Sequence, residues 1–173
     1  MAIALTDRFL IVFFVVCLSV PYLYAQSQVS EKQIAVKNFQ QLQPMLHTEN
    51  DSVYVVNFWA TWCAPCVEEI PYFERLSQTY SNEKVKVLMV SLDFPNQVDT
   101  RLIPFIKQHE MQNEVILLND PDANSWIPKV DKNWTGAIPA TLIYDKNSSM
   151  FFQKEFTFEA LVDIVEGYLV SKK

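Results

Sequence analysis

The sequence predicts an α/β domain whose sheet is buried under helices on both faces. Two runs, VYVVNF at 53–58 and VKVLMVSL at 85–92, are β-branched and almost wholly apolar, as strands covered on both sides must be. Segments with apolar residues three and four apart fall between such runs, the alternation that builds helix-covered sheets. The 173 residues are 50% hydrophobic and 20% charged, which suits one globular domain and excludes a disordered chain.

The elements follow in chain order. Phe39, Leu42 and Leu46 have helical spacing ahead of the 53–58 strand. Val67, Ile70, Phe73 and Leu76, extended by Tyr80, predict a second helix before the 85–92 strand. Leu102, Phe105, Ile106 and His109 predict a third, and residues 114–118 and 140–144 two more strands. A shorter strand is expected at 150–154, after a hairpin turn at Lys146, Asn147 and Ser148, which adds an antiparallel component. Phe158, Leu161, Val162, Val165 and Leu169 predict a last helix.

The beginning of the chain is an address. Residues 9–20 read FLIVFFVVCLSV, without a charge, after Arg8 and before Pro21 and Ala25. A weakly basic start, an apolar stretch and a small residue form the layout of a secretory signal. We therefore expect a signal peptide at 1–25, a linker at 26–32 and the folded domain at 33–173. The uncharged stretch 9–25 is also at the lower edge of a spanning helix, so a retained membrane anchor is the alternative. Either way the domain works outside the cytoplasm, in a periplasm or an equivalent compartment. Cys17 belongs to the apolar run, which leaves Cys63 and Cys66 of the three cysteines.

Composition removes several function classes. A net charge of −6 argues against a nucleic-acid binder. Only two glycines occur, Gly136 and Gly167, so no phosphate-cradling G-x-G-x-x-G or P-loop can be written. Three cysteines are too few for a disulfide-dense scaffold.

The chemistry concentrates in residues 57–71, NFWATWCAPCVEEIP. The strand ends near Phe58 and the helix begins near Cys63. A thiolate at a helix start meets unpaired backbone N–H groups and the positive end of the dipole. Its pKa falls from about 8.5 to about 7 in reducing Cys-x-x-Cys sites. Cys66 follows one turn later, within disulfide reach. Pro65 occupies the first turn, where a missing N–H is harmless. Zinc would need four ligands, and the remaining candidates His47 and His109 lie far apart in sequence. Copper binding by the same pair, or a lone structural disulfide, are the other readings; the latter closes too short a loop to constrain the unfolded chain much.

Here the sequence resembles the thioredoxin superfamily, specifically its exported TlpA/ResA-like thiol–disulfide oxidoreductases, from about Val53 onward. Trp62-Cys63-Ala64-Pro65-Cys66 matches the W-C-x-P-C active site, Pro71 the proline that kinks the following helix, and Ala137 to Thr141 the cis-proline signature. The resemblance implies a three-layer α/β/α sandwich with a central mixed sheet and an extra helix–strand insertion, about residues 94–119, before the cis-proline loop. It also implies roles. Cys63 attacks a substrate disulfide and Cys66 resolves the mixed disulfide. Ile138 and Pro139, with Trp62, meet the substrate strand. Glu69 matches a glutamate of the exported branch and would exchange a proton with Cys66. Asn57 stands where cytoplasmic thioredoxins carry a buried Asp. Trp59 and Trp62 would pack around the disulfide.

The resemblance implies a reductase for disulfides in exported client proteins. No organic cofactor or metal is called for, because the Cys63–Cys66 dithiol stores the electrons. A membrane thiol reductant would recycle it. The absence of a histidine between the cysteines favours a reductant, and the peroxidatic cysteine of related peroxidases, preceded by Thr and Pro, is not found. The competing readings are a copper-binding or redox-gated adaptor of the same fold, and a disulfide oxidase or isomerase.

Overall fold

The computed structural model describes residues 34–171. The expected signal peptide or anchor and the linker lie outside the described residues. Among the described residues, no helix is long and apolar enough to cross a membrane.

Six strands form one sheet: β1 (Ala35–Lys37), β2 (Val53–Trp59), β3 (Val85–Ser91), β4 (Glu114–Leu118), β5 (Ala140–Tyr144) and β6 (Ser149–Phe152), in the spatial order β1-β4-β3-β2-β5-β6. The first four pair with one another in parallel, while β5 pairs antiparallel with both β2 and β6. The sheet is therefore mixed, as the terminal hairpin requires.

Side-chain alternation sorts each strand onto two cores. Val53, Val55 and Trp59 of β2 join Met89 of β3, Leu117 of β4 and Ile143 of β5 on one face. That face is closed by α2 (Ala64–Thr79), α3 (Ile103–Gln108) and α5 (Phe158–Val170), through Ile70, Phe73, Leu76, Ile106, Leu161 and Val165. Val56 and Phe58, with Leu88, Val90, Ile116 and Leu142, pack on the other face. There α1 (Phe39–Leu42) and α4 (Ala123–Val130) supply Phe39, Leu42, Trp126 and Val130, with Trp134 from the loop beyond α4. The result is the expected three-layer α/β/α sandwich, with the helix–strand insertion running through α3 and β4.

Three details differ from the expectation. The first helix splits: α1 gives way at Gln43 to a 3₁₀ turn, Gln43–Leu46, whose first turn holds Pro44. The last strand is Ser149–Phe152 rather than 150–154, because the hairpin closes when Asp145 N–H donates to the Ser148 carbonyl (2.9 Å). The short β1 and the whole of α4 were not expected.

Candidate active site

Strand parity and helix geometry assemble the site at the carboxyl end of β2. The ladder between β2 and β3 ends at Trp59 opposite Ser91, and Leu92 N–H extends it by one bond to the Trp59 carbonyl (2.8 Å). The chain then turns over Ala60–Cys63, closed by Cys63 N–H to the Ala60 carbonyl (3.1 Å). Cys63 is the N-cap of α2, with extended backbone (φ −93°, ψ 100°), and its sulfur accepts from the Cys66 N–H at 3.3 Å. Pro65 sits in the first turn and Pro71 inside α2, where it leaves the Val67 carbonyl without its helical donor. Both prolines stand where the sequence reading put them.

Cys63 and Cys66 are joined as a disulfide, with Cα atoms 5.3 Å apart. Cys66 is fully enclosed, whereas Cys63 retains 6% exposure. The Ile138–Pro139 peptide bond is cis, and the Ile138 carbonyl oxygen lies 3.8 Å from Cys63 Sγ. Gly136, two residues earlier, has φ +88°, and a Cβ there would meet Ile127 Cδ1 at 3.1 Å. Trp134 anchors the same loop by donating its indole N–H to the Ala137 carbonyl (2.8 Å).

The two tryptophans beside the motif part company. Trp59 is buried in the cluster that contains both cysteines, its ring 5.5 Å from that of Phe105. Trp62, by contrast, is 49% exposed. Trp126 and Trp134 are core residues, stacked edge to face at 5.6 Å. Both histidines are exposed, and the His109 ring stacks on Phe105.

Beneath the disulfide lies a buried polar chain. Asn57 and Thr141 are opposed across the β2–β5 ladder and share the α2 face of the sheet. Asn57 Nδ2 donates to Thr141 Oγ1 (3.0 Å) and to Glu69 Oε1 (2.8 Å). Glu69 Oε2 accepts from the Phe156 N–H (2.8 Å). Glu69 is 1% exposed, unlike its surface neighbour Glu68. Burial pushes its carboxyl up to about 7, against the lowering pull of the hydrogen bonds from Phe156 and Asn57. It sits one turn past Cys66 on α2.

Sequence reasoning missed one buried group at this edge. Asp93, just past β3, accepts from the Thr61 hydroxyl (2.6 Å) and the Thr61 N–H, and so reaches the active-site turn. Its signal was faint: a single acid closing an apolar strand run. Among the described residues, no group of three or more His, Cys, Asp or Glu is placed to hold a metal ion.

Comparison with known proteins fits this geometry. The AhpC/TSA family profile matches residues 30–152. Thiol-disulfide oxidoreductase ResA of Oceanobacillus iheyensis is 33% identical over 116 residues, covering 66% of this chain and 54% of that protein. The ResA of Bacillus cereus is 26% identical over 114 residues, covering 66% and 60%. The chain thus spans little more than half the length of these relatives. The crystal structure of a thioredoxin-related protein from Neisseria meningitidis serogroup B superposes with a TM-score of 0.60 at 22% identity, over 71% of this chain and 89% of that one.

Proposed function

The chain belongs to the AhpC/TSA family and, within the thioredoxin superfamily, to its ResA/TlpA-like thiol–disulfide oxidoreductases, and on that premise we propose that it reduces disulfides of exported client proteins through Cys63 and Cys66. The observation that carries this reading is the Cys63–Cys66 disulfide at the start of α2, its outer sulfur beside the Ile138 carbonyl.

In the reduced protein, the Cys63 thiolate is held by the Cys66 N–H and the α2 dipole. It attacks one sulfur of the client disulfide. That bond breaks, a mixed disulfide forms, and the departing client thiolate takes a proton from water. Cys66 then gives its proton to the Glu69 carboxylate, and its thiolate attacks Cys63 Sγ. The mixed disulfide breaks, the second client sulfur leaves and is protonated, and the Cys63–Cys66 disulfide remains. Two electrons pass to the client.

Glu69 suits the proton step because a carboxyl near 7 exists in both forms at neutral pH. The cis-proline loop would hold the client strand through the backbone of Ile138, with Pro139 shaping the loop and the exposed Trp62 flanking it. Residues 1–25 would export the domain or tether it outside the cytoplasm, with 26–32 as a linker to a domain at 33–173. A membrane thiol reductant would return two electrons to the oxidised pair.

The test is turnover of a protein disulfide, such as insulin, with a recycling reductant, together with the reduction potential of the pair. Turnover and a potential below that of the compartment are expected. Tight Cu(I) binding without turnover would instead mark a binding module, and a potential above the compartment's poise an oxidase or isomerase.

A further inference from the structure

We infer that Asp93 is a positioning residue: it clamps the turn that carries Cys63 and holds a fixed negative charge behind that turn, which keeps the Cys63–Cys66 pair reducing. The inference rests on the redox reading above and adds to it a device that tunes the pair.

The clamp is a set of short bonds on one buried carboxylate. Asp93 is 3% exposed. Thr61 N–H donates to Oδ1 and Oδ2 at 3.2 and 3.1 Å, and Thr61 Oγ1 donates to Oδ1 at 2.6 Å. Ser91 Oγ accepts from the Asp93 N–H (3.1 Å), so its own proton is directed to Asp93 Oδ2 (2.9 Å). Every group around the carboxylate is a donor, which is the pattern of an anion. None of these partners is a cation. A buried anion held only by neutral donors is costly, and here it is placed at the reactive turn.

Thr61 and Trp62 are the central residues of the Ala60–Cys63 turn. By gripping Thr61 at both its N–H and its hydroxyl, Asp93 fixes the turn from the β3 side, opposite the cis-proline loop on β5. Thr61 and Cys63 are two residues apart, so their Cα atoms are within about 7 Å. A negative charge bonded to Thr61, in the turn that leads into Cys63, opposes the thiolate there, while the disulfide carries no charge to repel. The reduced pair is thereby destabilised relative to the oxidised pair, and it gives up its two electrons more readily.

The experiment uses the full chain equilibrated with glutathione, where protein dithiol and oxidised glutathione yield protein disulfide and two reduced glutathiones. Asp93→Asn keeps the shape and removes the charge. It should shift the equilibrium about three- to tenfold toward the reduced protein and make Cys63 ionise at lower pH, read from thiolate absorbance. Thr61→Val keeps the charge and removes one clamp bond, and should slow alkylation of reduced Cys63 several-fold. A folded Asp93→Asn protein within twofold of wild type in the equilibrium, with unchanged Cys63 ionisation, overturns the inference. Where that variant does not fold, a wild-type alkylation rate in Thr61→Val overturns it. A wild-type protein that exchanges with neither glutathione nor insulin overturns the redox reading and this inference together, whereas normal exchange by wild type with no effect of either variant overturns this one alone.

Discussion

Asn57 donates its side-chain amide to Glu69 across 2.8 Å, so a neutral side chain of β2 supports a buried acid of α2. The carboxyl it supports is enclosed and titrates near 7. This makes the stability of the fold sensitive to pH in an unusual direction for a glutamate. The folded group holds its proton up to about 7, while the unfolded group releases it near 4.5. Between those values the folded state binds more protons, so stability falls as pH rises, by about 3 kcal/mol across the window. Below 4.5 and well above 7 the contribution is level. Glu69→Gln should flatten this slope in urea titrations run from pH 4.5 to 7.5. A slope that survives the substitution assigns the effect to another group.

The unequal enclosure of the two sulfurs predicts an order of attack. Cys66→Ser should accumulate mixed disulfides through Cys63 when incubated with a disulfide-bearing protein, because the outer sulfur can attack and nothing resolves it. Cys63→Ser should trap few or none, since Cys66 is fully enclosed. Mass spectrometry of the adducts reads the result, and equal trapping by both variants would refute the assigned order.

Gly136 holds the approach to the cis-proline loop in a backbone region that favours glycine, at φ +88°. Gly136→Ala adds that strain and presses a methyl onto Ile127. A loss of about 1–3 kcal/mol in stability is expected, seen as a lower denaturant midpoint. Gly167 has no atom within 4 Å of an added Cβ and lies within α5, so Gly167→Ala should stabilise by about 0.5–1 kcal/mol. Equal effects at the two glycines would contradict the geometry.

Trp134 ties the second hydrophobic core to the same loop through its bond to the Ala137 carbonyl. Trp134→Phe removes the donor and keeps much of the ring packing. It should cost about 1–3 kcal/mol and raise KM for a protein client more than it lowers kcat, because the loop that would meet the client loses an anchor. A loss of kcat alone would place the tryptophan elsewhere in the cycle.

Much of this architecture is written locally. Residues 114–118 and 140–144 form strands with the bounds expected from their apolar runs, because each is buried on both faces. The Cys63–Cys66 motif and its two prolines are contiguous and therefore legible. The parts that escaped are those whose partners are distant. β1 has three residues and pairs with β4, just over eighty positions away, so no local pattern marks it. α4 buries only Trp126 and Val130 and contains Pro128, which reads as a helix breaker. Thr141 meets Asn57 across 84 residues and Asp93 meets Thr61 across 32. A polar residue's role depends on what the fold brings to it, and that is absent from its neighbourhood in sequence.

The placement of β1 has a kinetic consequence. Among the described residues its only strand neighbour is β4, the strand of the insertion, so these three residues have no template until β4 has itself joined β3. They are secured late and held by one row of bonds, with Val36 49% exposed. Opening them removes little from either core. Amide exchange should therefore be fast in β1 and slow in β2 and β3, so the edge of the sheet can fray and rejoin on its own clock while the strands beneath the disulfide stay closed.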